Sequence, residues 1–148
     1  MTAANEFKRG KSTLLNAMLG TSVLPAAVVP LTAIPTFVEA GATPCVRAIF
    51  ASGATEEVTA ELPEELAGSL AKLVSEEANP NNTLGLAHVE VLLPCPLLDR
   101  ALVLIDTPGV GSTLIHNTEK AEAILPECDA LCSSSRPIRL LPRSKSAT

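Results

Sequence analysis

The sequence predicts an α/β fold, a mixed sheet flanked by helices, on three observations. A helical pattern opens at Lys11, short strand-like runs separated by turn residues follow it, and the apolar run Ala-Leu-Val-Leu-Ile over 101–105 ends on an acidic residue. Strand, loop, helix and strand in this order suit an α/β sheet with one antiparallel excursion. A length of 148 residues suits one compact domain that buries a real core. With 47% hydrophobic and 18% charged residues the chain reads as globular rather than disordered.

Taken in order, residues 1–4 are too few to assign to an element. Over 11–19, Leu14, Leu15, Met18 and Leu19 recur at helical spacing, and Gly20 stops the helix. Residues 23–32 carry Pro25 and Pro30 in an apolar but irregular stretch, which fits an ordered loop. Residues 34–39 and 46–50 read as strands joined through Gly41 and Pro44, 51–53 as a turn, and 55–60 as a short third strand. Pro63 opens a helix reaching about residue 77, with Leu66, Leu70 and Leu73 on one face and Asn79-Pro80-Asn81-Asn82 ending it. Residues 88–93 alternate as an edge-type strand. The run 101–105 is expected to be a strand covered on both faces. Residues 119–125 form a further helical pattern, broken by Pro126.

Composition removes several function classes. Three Phe and no Trp or Tyr argue against a stacking surface for single strands, so no nucleic-acid partner is expected. Cys45, Cys95, Cys128 and Cys132 form no CxxC pair, and His88 and His116 complete no zinc-like spacing. Buried thiols of a cytoplasmic protein are the expectation. The opening residues are polar, without the apolar core of a signal peptide. The longest apolar runs fall far short of a membrane span. All 16 acidic residues precede position 132, whereas the last 17 residues hold Arg136, Arg139, Arg143 and Lys145. A basic tail of this kind suits phosphate or a membrane surface.

Two motifs carry chemistry. Gly10-Lys11-Ser12-Thr13 stands at the head of the first helix. A phosphate chain needs convergent backbone N–H groups, a positive helix end, a Lys for the outer phosphates and a hydroxyl for Mg²⁺. This run supplies the last three. Asp106-Thr107-Pro108-Gly109 follows the apolar run directly. A carboxylate there can hold Mg²⁺ through water, and Gly109 lets a backbone N–H approach the terminal phosphate. The bland alternative is a strand-exit turn, for which the same residues are suited. Both motifs in this order make a P-loop nucleotide site the stronger reading. Thr32, in the loop between the first helix and the next strand, offers a hydroxyl that completes Mg²⁺ coordination when the terminal phosphate is present.

At this point a family resemblance emerges. The runs EFKRGKSTLLNAMLG, VLPAAVVPLTAIPT, VEVLLPCPLL, LVLIDTPGVGST and HNTEKAEAILPECDA resemble bacterial dynamin-like GTPases, large GTPases that remodel membranes. The resemblance covers residues 6–131 and implies a GTPase-type P-loop sheet that binds and hydrolyses GTP with Mg²⁺. It implies Gly10, Lys11, Ser12 and Thr13 on the phosphates, with Ser12 also on Mg²⁺. Thr32 falls in the first switch loop, and Asp106 with Gly109 in the second. Lys8 sits at an offset where some large GTPases use an Arg to stabilise transferred charge. His116-Asn117-Thr118 resembles a segment after the second switch, with a packing or switch-supporting role.

Departures from the family set further expectations. Asn5 stands where the P-loop pattern wants Gly, and only residues 1–4 precede it where the family has a buried strand. Phe7 occupies an offset where some relatives carry a water-orienting Gln. No [NT]KxD motif follows Asp106, so little preference for GTP over ATP is expected. Residues 132–148 read CSSSRPIRLLPRSKSAT where an apolar strand should stand. Moved by one base from the end of the Leu131 codon, their codons permit LFVLSADPPLT, which resembles the family's continuation. The sequence is therefore expected to comprise a partial GTPase domain over 1–131 and an out-of-frame, disordered tail over 132–148.

Residues 133–148 should then take no part in the sheet, since Pro137 and Pro142 lack a ladder N–H, and 101–105 should be left with an exposed edge. GTP turnover is expected to be impaired. Two rivals stand beside this reading: a compact ATP- or GTP-hydrolysing enzyme without the base-reading motif, and a non-enzymatic remnant or interaction module pairing with a full-length relative. Self-association is expected through the nucleotide face. Membrane association is expected only through family regions that this sequence lacks.

Overall fold

The structure, a computed structural model, describes residues 11–25, 34–107, 130–133 and 136–140, with side chains described for the first two stretches. Helix α1 spans Lys11–Leu19 and is followed by strands β1 (Thr36–Ala40), β2 (Cys45–Phe50) and β3 (Thr55–Thr59). Helix α2 (Leu66–Val74) comes next, then β4 (Leu86–Leu93) and β5 (Leu104–Asp106), and later β6 (Ala130–Ser133) and β7 (Arg136–Leu140). Five strands form a mixed sheet in the order β3-β2-β4-β1-β5. Only β1 and β4 run parallel; the β1–β5, β2–β3 and β2–β4 pairs are antiparallel. This is the mixed sheet with flanking helices that the sequence predicts.

Period-2 alternation turns one face of the sheet inward. Val38, Val46, Ala48, Val89, Val91 and Leu93 line that face and form one core with Leu66, Leu70 and Val74 of α2 and with Leu19 of α1. Full burial of each of these Val and Leu side chains contributes about 1.5–3 kcal/mol. The opposite face is only partly buried and carries charge. Arg47 bonds Glu57 on one side and Glu90 on the other, the latter at 2.8 Å, and Phe37 meets the His88 ring edge-on.

α1 ends where the residue pattern places it. Gly20 takes φ 71, and Thr21 N donates back to Asn16 O at 3.2 Å, closing the helix end. Of the four apolar residues, Leu19 is buried and Leu15 packs against the core, while Leu14 and Met18 are exposed.

The second helix departs from expectation at its end. A 3₁₀ turn over Pro63–Glu65 leads into α2, which stops at Val74 rather than near residue 77. Ser75 is extended, its Oγ accepts Ala78 N at 3.2 Å, and Asn79 Nδ2 takes the Leu73 carbonyl at 2.8 Å. These side-chain bonds offer the backbone an alternative to another helical turn.

Two strand expectations need correction. β4 is an interior strand between β2 and β1, not an edge. Its alternation reflects a dry face and a wetter one, and says nothing about which edges are paired. β5 is shorter than the run 101–105: the chain makes a 3₁₀ turn over Leu98–Arg100 and Ala101 adopts φ 57, so pairing starts only at Leu104. Nor is that run covered on both faces, because Leu102 and Val103 are exposed. Among the described residues β5 is an end strand of the sheet.

β6 and β7 pair with each other in a separate antiparallel ribbon, not with the five strands. Residues 136–140 are thus a strand where a disordered tail was expected. Pro137 lies within it, as a two-stranded ribbon allows, since each of its strands keeps one unpaired edge. The helix expected over 119–125 lies outside the described residues. Among the described residues no helix is long and apolar enough to cross a membrane.

Candidate functional site

The end of the sheet where β1 begins and β5 finishes brings the two chemical motifs together. Antiparallel pairing sets Thr36 opposite Asp106, and both face the core, at 1% and 3% exposure. α1 presents its first turn to the same place. Ser12 Oγ donates to Asp106 Oδ2 at 2.6 Å across 94 residues of sequence. Lys11 Nζ donates to the Thr107 carbonyl at 3.0 Å. The strand-exit residues and the helix-opening residues are therefore in direct contact.

The electrostatics of this corner are unbalanced. Asp106 Oδ1 is buried and has no hydrogen-bond partner among the described residues. Burial raises the Asp106 pKa above the ordinary carboxylate value, opposed by the Ser12 hydrogen bond and by the charge of Lys11. Burial likewise lowers the Lys11 pKa, opposed by the charge of Asp106. Each ion is thus supported by the other, yet both are only partly compensated for the water they have lost. An unpaired buried acceptor costs about 1–3 kcal/mol. An anionic phosphate chain would complement Lys11, and a hard divalent cation would complement Asp106 and the Ser12 hydroxyl. The residues present thus fit a Mg²⁺-bound phosphate group.

Of the other residues singled out by sequence, Thr13 is exposed on the first turn of α1. Lys8, Gly10, Thr32 and Gly109 lie outside the described residues, as do Asn5, Phe7 and His116-Asn117-Thr118. Two participants escape the motif reading. The Thr107 carbonyl, which receives Lys11, is a backbone atom and leaves no mark in residue type. Asn16 is the second: its Nδ2 donates to Leu24 O at 2.8 Å while Leu24 N donates to its Oδ1 at 2.9 Å. A polar residue inside the apolar helix stretch Leu14-Leu15-Asn16-Ala17-Met18 was the available signal. Cys45 and Cys95 are free and buried.

Comparison with known proteins points to one family. The profile of the dynamin family matches residues 5–133. An uncharacterized protein in the xynA 3′ region of Caldicellulosiruptor is 34% identical over 131 residues, which are 88% of this chain and 31% of that protein. Dynamin-like protein 2 of Campylobacter jejuni is 31% identical over 107 residues, 72% of this chain and 16% of that protein. A solved chain from an oligomerised bacterial dynamin pair, described as a mechanism for long range sensing and tethering of membranes, superposes with a TM-score of 0.51. It is 29% identical and covers 72% of this chain and 16% of its own. The chain thus spans less than a third of the length of these relatives.

Proposed function

The chain belongs to the dynamin family, and on that premise we propose that the corner between α1 and β5 binds the phosphates of GTP with Mg²⁺. One observation carries the reading: Ser12 and Asp106 meet at 2.6 Å, with the second Asp106 oxygen buried and without a partner among the described residues, and with the Lys11 charge acting on the carboxyl. In this reading Lys11 leaves the Thr107 carbonyl for the outer phosphates, joined by the backbone N–H groups of Gly10 to Thr13. Ser12, Thr32 and Asp106 would hold Mg²⁺. The metal supplies neutralisation of the phosphate oxygens as charge develops on them. Gly109 brings a backbone N–H to the terminal phosphate, and Lys8 stabilises the charge being transferred.

Hydrolysis would be slow in this chain, because the phenyl ring of Phe7 cannot orient water from the offset where some relatives carry Gln. Self-association through the nucleotide face accords with the oligomerised pair among the structural relatives. Titration with a fluorescent GTP analogue tests the binding claim. Binding should require Mg²⁺ for full strength and fall at least tenfold, about 1.4 kcal/mol, in Lys11→Ala. Binding indifferent to both Mg²⁺ and Lys11 would remove the reading. An ATP arm of the same titration should show little discrimination between the bases; strong GTP selectivity would place a base-reading group elsewhere in the chain.

A further inference from the structure

Thr36 is out of place by residue type. Apart from Asp106, the core face of the sheet around it is apolar: Val38 on its own strand, Val89, Val91 and Leu93 on β4, Val46 and Ala48 on β2. Among the described residues only Thr36, Ser75, Asn79 and Asp106 are polar and buried. Ser75 and Asn79 serve the turn after α2, through their bonds to Ala78 N and Leu73 O. Thr36 lies on no such turn. It is the first residue of β1, 1% exposed, with Val89 opposite it on one side and Asp106 on the other. Valine would fill the same space on a strand and bring no hydroxyl into the interior. A buried hydroxyl without a hydrogen bond is costly, so its presence calls for a partner.

The strand register supplies one. Residues directly opposite in an antiparallel pair project from the same face, with Cβ atoms about 4.5–5.5 Å apart, which lets short polar side chains meet. α1 approaches from that face: Ser12 Oγ holds Asp106 Oδ2 at 2.6 Å, whereas Oδ1 has no partner among the described residues. Rotation about χ1 exchanges the places of the Thr hydroxyl and methyl, and so turns Oγ1 toward β5 or away from it. We propose that Thr36 is a positioning residue for the Mg²⁺-dependent part of nucleotide binding, its hydroxyl donating to Asp106 Oδ1 in the nucleotide-bound chain. Ser12 from the helix and Thr36 from the neighbouring strand then fix the two carboxylate oxygens, each of which keeps a lone pair for the cation. The role rests on the phosphate-site reading above and adds to it a residue that touches neither phosphate nor metal.

A threonine that only fills the core would tolerate valine whether or not the metal is present. The test uses the full 148-residue chain and a slowly hydrolysed GTP analogue, titrated with Mg²⁺ and with EDTA, with melts of the unliganded proteins alongside. Thr36→Val keeps the shape and loses the donor, so it should lose about tenfold in affinity with Mg²⁺ and less than about twofold in EDTA. Its unliganded melting midpoint should be no lower than that of the wild type. Thr36→Ser retains the hydroxyl and should stay within about twofold of wild type. On an Asp106→Asn background, Thr36→Val should cost less than about twofold further, because both changes act on one increment. Wild-type affinity in Thr36→Val, equal losses with and without Mg²⁺, an undiminished loss on the Asp106→Asn background, or a serine variant as weak as the valine one would overturn the proposal while the phosphate site stands. A Thr36→Val chain that melts lower or fails to fold would make Thr36 a structural residue and overturn it equally. A wild-type chain with no Mg²⁺-dependent gain, and no response to Lys11→Ala, would instead sink the parent reading.

Discussion

Asn79 and Asp106 are two buried polar side chains at separate places in the fold, and they are treated in opposite ways. Asn79 is 0% exposed and all its polar capacity is directed inward. Its Nδ2 donates to Leu73 O at 2.8 Å and its Oδ1 accepts Leu84 N at 3.0 Å, so it ends α2 and shapes the turn before β4. Asn82 repeats the device, gripping both the N–H and the carbonyl of Leu86. Asp106 is 3% exposed, yet one of its oxygens has no partner among the described residues. A buried polar group that is satisfied specifies a structure; one that is left short costs stability and stays available to a ligand. The turn around Asn79 serves the fold, whereas the corner at Asp106 holds the unpartnered oxygen on which the proposed nucleotide site rests.

The largest expected effect comes from breaking the satisfied side. Asn79→Ala strips the partners from Leu73 O and Leu84 N inside the protein and should destabilise by about 2–4 kcal/mol. Chemical denaturation reads this directly. At temperatures where the variant stays folded, nucleotide affinity should be unchanged, because the two regions share no partner.

A smaller effect, with the sign that sharpens the contrast, concerns pH. The Asp106 pKa is raised in the fold, so the folded state holds its proton over a window where the unfolded chain has released it. Its contribution to stability is full below the unfolded carboxylate value and is lost as pH rises through the raised folded value. Nucleotide-free protein should therefore lose stability across that window, and Asp106→Asn should remove this component of the pH profile. Mg²⁺·GTP affinity should rise over the same window, because the ligand takes the ionised carboxylate. Denaturation midpoints against pH, for both proteins, check the sign.

The smallest effect is expected on the partly exposed sheet face. Arg47→Gln breaks the bonds to Glu57 and Glu90, but these groups remain in reach of water. Surface ion pairs of this kind contribute little. The melting midpoint should move by no more than the reproducibility of the measurement, and a large shift would mean that this face is covered in solution.

Much of this division was legible in the residue pattern, and the exceptions have physical causes. The end of α1 was legible because Gly20, at φ 71, closes it. Ser12 and Asp106 could be paired from motif order alone, since each motif needs the other to make chemical sense. The interior position of β4 was not legible, because alternation records which face is wet and the partner strands β1 and β2 both lie far away in sequence. The late start of β5 was hidden by Ala101, a residue type that gives no warning of φ 57. Asn79 read only as a helix stop; its complete burial depends on where Leu73 and Leu84 fall in space. Asn16 is visible in the sequence only as a polar residue within an apolar helical stretch; its bonds to backbone eight residues on have no short-range signature.

The most direct test of the contrast is a set of four thermal melts, the wild type and Asp106→Asn, each with and without Mg²⁺·GTP. Without ligand the variant should melt higher, since an amide in place of the uncompensated carboxylate relieves about 1–2 kcal/mol while still accepting from Ser12. With ligand the order should reverse: the wild type gains stability by mass action and the variant gains little. A variant that melts lower than wild type without ligand, or that responds to Mg²⁺·GTP as strongly as wild type does, would contradict the account.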